Sequence, residues 1–156
     1  EGGGESVRVR PGNLSPASVS AERASTTPPA AAAERGDEAT VLAWLEGGGR
    51  VNATYERGKR SGLTLLMDAA ANGHEQMVGL LLGHGAEIDL QNSVGSTALM
   101  AATSNGHERV VDLLIWRGAE LNLQMSDGGM TALMQTALFN HPAIMRCLLR
   151  AGADMA

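Results

Sequence analysis

Three histidines recur at one place in a repeating pattern, and they are the first residues of this chain to invite a chemical reading. His74, His107 and His141 lie 33 and 34 residues apart. Ligands of one zinc ion sit within about 2.1 Å of it, whereas neighbouring helices pack about 8–10 Å apart. Side chains one repeat apart therefore do not converge on one metal, and the three are read as residues that start a helix. His84 falls in a turn with no counterpart and is expected to face solvent. The single cysteine, Cys147, is equivalent in register to Leu80 and Leu113. It reads as a small hydrophobe in a core or semi-core position, with no base placed beside it to make a nucleophile. Gly58-Lys59 is followed by Arg60 where a phosphate loop needs Ser or Thr, and Ala53 stands where its leading Gly belongs. There is no G-x-S-x-G, H-E-x-x-H or paired-cysteine motif. The acid pairs Glu34 with Asp37 and Glu108 with Asp112 have the spacing of a solvated helix surface. The expectation is no catalytic residue, no metal site and no cofactor, hence no enzyme and no small-molecule substrate within these residues.

One basic cluster remains, Arg57, Lys59 and Arg60, with Arg50 and Tyr55 close by. It suits an acidic peptide or a phosphate, or else it is an ordinary solvated loop. The balance of 12 basic against 17 acidic residues, a net charge of −5, argues against a nucleic-acid or polyphosphate binder. No apolar run reaches 18 residues, so no membrane-spanning helix is expected. The triplets Asn13-Leu14-Ser15 and Asn52-Ala53-Thr54 are short enough to arise by chance. A lone cysteine offers no internal disulfide and fits a reducing compartment, so the expected location is intracellular, cytoplasmic with the nucleus also open.

The elements that must position these residues follow from composition and periodicity. Of 156 residues 44% are hydrophobic but only 3% aromatic, so the core must be Leu, Ala, Val and Met, a balance that favours stacked helices over strands. Residues 1–26 are rich in Gly, Ser, Ala and Pro and read as a disordered tail, because they have too little apolar surface to offset the cost of ordering. Beyond them the chain repeats. Gly36-Asp37, Gly73-His74, Gly106-His107 and Asn140-His141 mark four copies, and Gly48-Gly49, Gly85-Ala86, Gly118-Ala119 and Gly152-Ala153 mark the same four. Thr64, Thr97 and Thr131 each open a Thr-x-Leu-Met or similar tetrapeptide at a helix start, where a threonine hydroxyl accepts an orphan backbone N–H. Each copy holds two short helices and a polar excursion, with boundaries near 27–61, 62–94, 95–128 and 129–156. A single helix pair of this kind cannot bury its apolar faces; stacked neighbours can.

These motifs resemble the ankyrin repeat family. Gly62 to Asp89 and Gly95 to Asn122 follow its G-x-T-P-L-H-x-A-A-x-x-G-H and V-V-x-L-L-L-x-x-G-A pattern, and the likeness spans about Thr27 to Ala156. The resemblance implies an all-α solenoid of helix-turn-helix units with projecting hairpin-like fingers. Two departures matter. The family proline is Leu65, Ala98 and Ala132, and the family histidine of the tetrapeptide is Met67, Met100 and Met134, so packing must hold what a hydrogen bond otherwise would. Leu114, Glu120, Leu121 and Asn122 also have the spacing of sites at which an asparaginyl hydroxylase modifies such repeats; the plainer reading is an Asn that serves its own turn.

By the same resemblance a partner protein would meet the fingers and the open side of each first helix. The fingers supply Arg57, Lys59, Arg60, Ser93, Val94, Met125 and Met130; the helices supply Asp68, Asn72, Ala101, Asn105, Gln135, Leu138 and Phe139, with Ala71 and Ser104 between them. An exposed aromatic beside flexible methionines makes a plausible anchor. The last helix pair lacks a polar outer face, which fits an array continuing past Ala156. Trp44 aligns with the core leucines Leu81 and Leu114, whereas Trp116 points outward. The expected function is a protein-binding scaffold; the rival reading is the targeting region of a larger enzyme, a kinase or ubiquitin ligase, catalytic elsewhere.

Overall fold

The structure is a computed structural model that describes residues 27–155. The expected tail at residues 1–26 lies outside the described residues. Four helix pairs follow one another: α1 (Ala30–Arg35) with α2 (Glu38–Glu46), α3 (Leu65–Ala71) with α4 (Glu75–Gly83), α5 (Ala98–Ser104) with α6 (Glu108–Trp116), and α7 (Ala132–Leu138) with α8 (Pro142–Arg150). Between α2 and α3 the chain forms a true antiparallel hairpin, β1 (Tyr55–Arg57) and β2 (Arg60–Leu63), with Tyr55 opposite Leu63 and Arg57 opposite Arg60. The first helices pack in the row α1, α3, α5, α7 and the second helices in the row α2, α4, α6, α8.

Local chemistry sets the ends of these helices. Thr64, Thr97 and Thr131 accept through Oγ1 from the N–H of Met67, Met100 and Met134 at 3.3, 3.2 and 3.3 Å. Asp37 does the same for α2, accepting from the Thr40 N–H at 3.2 Å and its hydroxyl at 2.7 Å, which holds the Asp37 carboxyl below its usual range. Such caps satisfy donors that a helix leaves unpaired. The core between the two rows is aliphatic, led by Leu65, Met77, Leu81, Leu99, Met100, Leu114, Ile144 and Leu148. Trp44 is its one buried large ring, and a Cβ on Gly49 would lie 2.3 Å from that ring, which explains the glycine. Trp116 is 81% exposed, as its register implies. Trp116→Ser should therefore change the unfolding free energy by no more than about 0.5 kcal/mol, measurable by urea denaturation; a larger loss would mean that the indole packs on something.

The histidines prove to be inter-repeat ties. His74 Nε2 lies 2.6 Å from the Glu34 carbonyl, His107 Nε2 3.0 Å from that of Ala71, and His141 Nε2 3.3 Å from that of Ser104. Each ring thus bonds the C-terminal turn of the preceding first helix. The same ring lies over the preceding glycine. A Cβ on Gly36, Gly73 or Gly106 would meet an imidazole atom at 2.7, 2.5 or 2.7 Å. At Asn140, the fourth marker, φ is +59, the left-handed conformation that asparagine adopts more readily than most side chains. At the first marker Asp37 stands where the later copies carry histidine, and it caps α2.

A second set of ties runs along the fingers. Asn52 Oδ1 accepts from the Glu87 N–H, Asp89 Oδ1 from Glu120 N–H and Asn122 Oδ1 from Asp154 N–H, each at 2.8 Å. Asn122 was expected to serve its own turn; its side chain instead bonds the following repeat, because the finger brings that backbone within reach. Backbone bonds also join the fingertips, Ser93 N–H to the Ser61 carbonyl and Ser126 N–H to the Val94 carbonyl, both 2.9 Å.

Candidate functional site

The open sides of the first helices and the fingers above them enclose a groove of about 380 Å³. Helix geometry makes it. Residues three and four apart share a face, so α3 presents Asp68, Ala71 and Asn72, and α5 presents Ala101, Ser104 and Asn105. Helix α7 adds Gln135, and Phe139 takes the C-cap position that Asn72 and Asn105 hold in the earlier repeats. The fingers close the upper side with Arg57, Arg60, Val94, Met125 and Met130.

Three residues expected at this surface lie off it. Lys59 sits at the exposed tip of the β1–β2 hairpin. Ser93 is turned toward its neighbour, its hydroxyl accepting from the Ser61 N–H at 3.0 Å. Leu138 is exposed, outside the lining of the groove. Conversely, the groove includes Leu63, Met67, Asn92, Ser96 and Thr97, which sequence reasoning did not select. Leu63, Met67 and Thr97 are buried residues of the lining. Asn92 had a usable signal, an Asn in the Asn-Ser-Val-Gly turn, and its Oδ1 accepts from Val94 and Ser96 N–H at 3.0 Å each.

The basic end of the groove differs from a free cationic loop. Arg57 makes a two-pronged pair with Asp68, 3.1 Å to Oδ1 and 3.0 Å to Oδ2, and lies 2.9 Å from a Glu34 carboxylate oxygen. The Tyr55 hydroxyl also donates to Asp68, and the Arg57 guanidinium lies 5.8 Å from the centre of the Tyr55 ring. Glu34 is thus a partner in an ion triad and not one of an idle solvated pair. Asp68 is buried. Burial, and secondarily the Glu34 carboxylate, push its carboxyl up to about 7 against the opposing pull of Arg57. Arg60 has no ion-pair partner among the described residues and is the cation left to face the groove.

The far end is apolar, with Phe139 47% exposed beside Met125 and Met130. Between the ends the lining is amide. Asn72 Nδ2 and Asn105 Nδ2 donate to the carbonyls of Asp68 and Ala101 at 2.8 Å each, so the oxygens of both side chains are the ends left for other partners. Gln135 is only 6% exposed, yet its Oε1 has no hydrogen-bond partner, and its Nε2 reaches only the Met125 sulfur at 3.7 Å.

Elsewhere, Cys147 is half-buried, and burial together with the Asp112 carboxylate raises its thiol above the usual range. A raised pKa disfavours the nucleophilic thiolate. No group of three or more His, Cys, Asp and Glu side chains is arranged to hold a metal among the described residues. No described helix is long and apolar enough to cross a membrane.

No curated protein gives a significant match to the chain. The family model for ankyrin repeats in three copies matches residues 15–92 and 66–156. Together with the stacked helix pairs, their threonine caps and the fingers between them, that match places this chain in the ankyrin-repeat family.

Proposed function

We propose that this chain is a scaffold that binds a partner protein in the groove between its fingers and first helices. Ankyrin repeats generally act as protein-interaction modules. The observation that carries the assignment of this groove is its lining, a 380 Å³ concavity that draws on the first finger and the three repeats after it and includes the half-exposed Phe139 and two methionines. Aromatic and methionine side chains in a concave site are the usual anchors of a protein interface. The module acts inside the cell, a reading that rests on the single unpaired cysteine.

Chemical cross-linking in cell extract followed by mass spectrometry tests this reading, with the full chain and its Phe139→Ser/Met130→Ser variant compared. Both substitutions lie at the surface of the groove and leave the core untouched. Loss of a hot-spot aromatic should weaken a partner's binding by roughly tenfold or more. Partners that cross-link equally to both forms, or only to the second-helix side, would show that the groove is not the docking site.

A further inference from the structure

From the polarity of the groove we infer the chemistry of its occupant: an extended peptide segment of the partner protein, carrying an acidic residue about five or six positions from a large aliphatic or aromatic one. This rests on the scaffold reading above. Three independent features of the lining lead to it. At one end stands Arg60, the cation of the lining with no ion-pair partner among the described residues, whereas Arg57, also in the lining, is paired with Asp68 and Glu34. A carboxylate is the complement of that end. At the other end Phe139, Met125 and Met130 form an apolar seat that accepts a large side chain.

The third feature is the amide oxygen of Gln135. It is buried and unpartnered, on a residue that lines the groove. A buried acceptor without a donor costs about 1–3 kcal/mol, and the peptide N–H of an extended segment supplies the missing donor. Asn72 and Asn105 are exposed and offer acceptors of a different kind, with their amide nitrogens tied to the helices and their oxygens left for a donor. A helix or a folded surface offers no such row of N–H groups, since its own are already bonded. An extended strand does.

The spacing follows from geometry. Arg60 opens β2, the strand that leads into α3, and Phe139 caps the end of α7, two first-helix steps further on. Steps of about 8–10 Å put the ends about 16–20 Å apart, and a strand rising about 3.3 Å per residue covers that distance in five or six residues.

A phage-displayed library of random dodecapeptides, selected on the full chain, tests the inference. Enriched sequences should share Asp or Glu five or six positions from Leu, Ile, Met or Phe. A synthetic peptide of the enriched type, measured by fluorescence anisotropy, should bind three- to tenfold more weakly to Arg60→Ser. That difference should vanish for the peptide with its acid changed to the amide. Gln135→Leu should weaken the same peptide about fivefold, with thermal melting used to verify that this variant folds. If the enriched peptides lose binding with Phe139→Ser but lack the acid and ignore Arg60→Ser, the peptide chemistry inferred here is wrong while the groove remains the docking site. If no selected peptide responds to Phe139→Ser, the inference and the groove reading both fall.

Discussion

Replacing Gly73 with alanine is expected to lower the unfolding free energy by about 2–4 kcal/mol, and the melting temperature by roughly 10 °C. Two costs combine. Gly73 has φ +74, in the left-handed region where a Cβ crowds its own carbonyl. That Cβ would also meet His107 Nδ1 at 2.5 Å and Cε1 at 2.8 Å. The ring cannot simply swing away, because Nε2 is bonded to the Ala71 carbonyl. The damage falls on the junction between the second and third repeats, and in a stack of nearest-neighbour interfaces that junction sets whether the chain melts as one unit. Gly85→Ala is the control. It has φ +90 but nothing within 4 Å of the added atom, so it should cost only about 1 kcal/mol. Equal losses for the two variants in urea denaturation would show that the imidazole contact contributes nothing.

The Gly-His pair also shows what was legible in the sequence and what was not. Its spacing revealed the repeat, because stacking forces every copy to the same helix lengths. Its purpose was hidden, since the glycine of one repeat is required by the histidine of the next, and that relation exists only once the stack is formed. The markers also vary in sequence, with Asp37 where later copies carry His and Asn140 where earlier copies carry Gly. Threonine caps were legible because capping is local, settled within four residues. The ties of Asn52, Asp89 and Asn122 were not, because each reaches a backbone N–H more than 30 residues away.

The groove divides in the same manner. The family resemblance, applied in register, put Asp68, Asn72, Ala101, Asn105, Gln135, Leu138 and Phe139 on one surface; all of these but Leu138 line the groove. Finger residues were harder to place, since a hairpin has no fixed direction until it packs. Arg57, Lys59 and Arg60 read as one basic cluster, but the hairpin turns Arg57 onto the buried Asp68, leaves Arg60 over the groove and sets Lys59 at the tip. Three like charges in sequence thus become an internal counter-ion, a candidate recognition group and a solvated side chain.

The internal counter-ion makes the fold sensitive to pH. Asp68 ionises at about 7 in the folded chain, above its ordinary 3.8, chiefly through burial and then through Glu34. Between those values the folded state holds a proton that the unfolded state has released. Stability therefore falls as pH rises from about 4 through 7. The unfavourable contribution is complete above the folded pKa, where it amounts to something on the order of 4 kcal/mol. Asp68→Asn keeps the shape, presents no titrating group and leaves Arg57 paired with Glu34. The difference in unfolding free energy between variant and wild type should consequently shift in favour of the variant as pH rises from 5 to 8.5, measured by urea denaturation. Arg57→Ala should act in the opposite sense, costing little at pH 5 and more at pH 8.5, because it strips a buried carboxylate of its cation once that carboxylate is ionised. Other titrating groups cancel in each comparison. Curves that stay parallel over this range for both variants would mean that Asp68 is ionised throughout, held so by Arg57, and that the triad acts as a fixed clasp on the first finger.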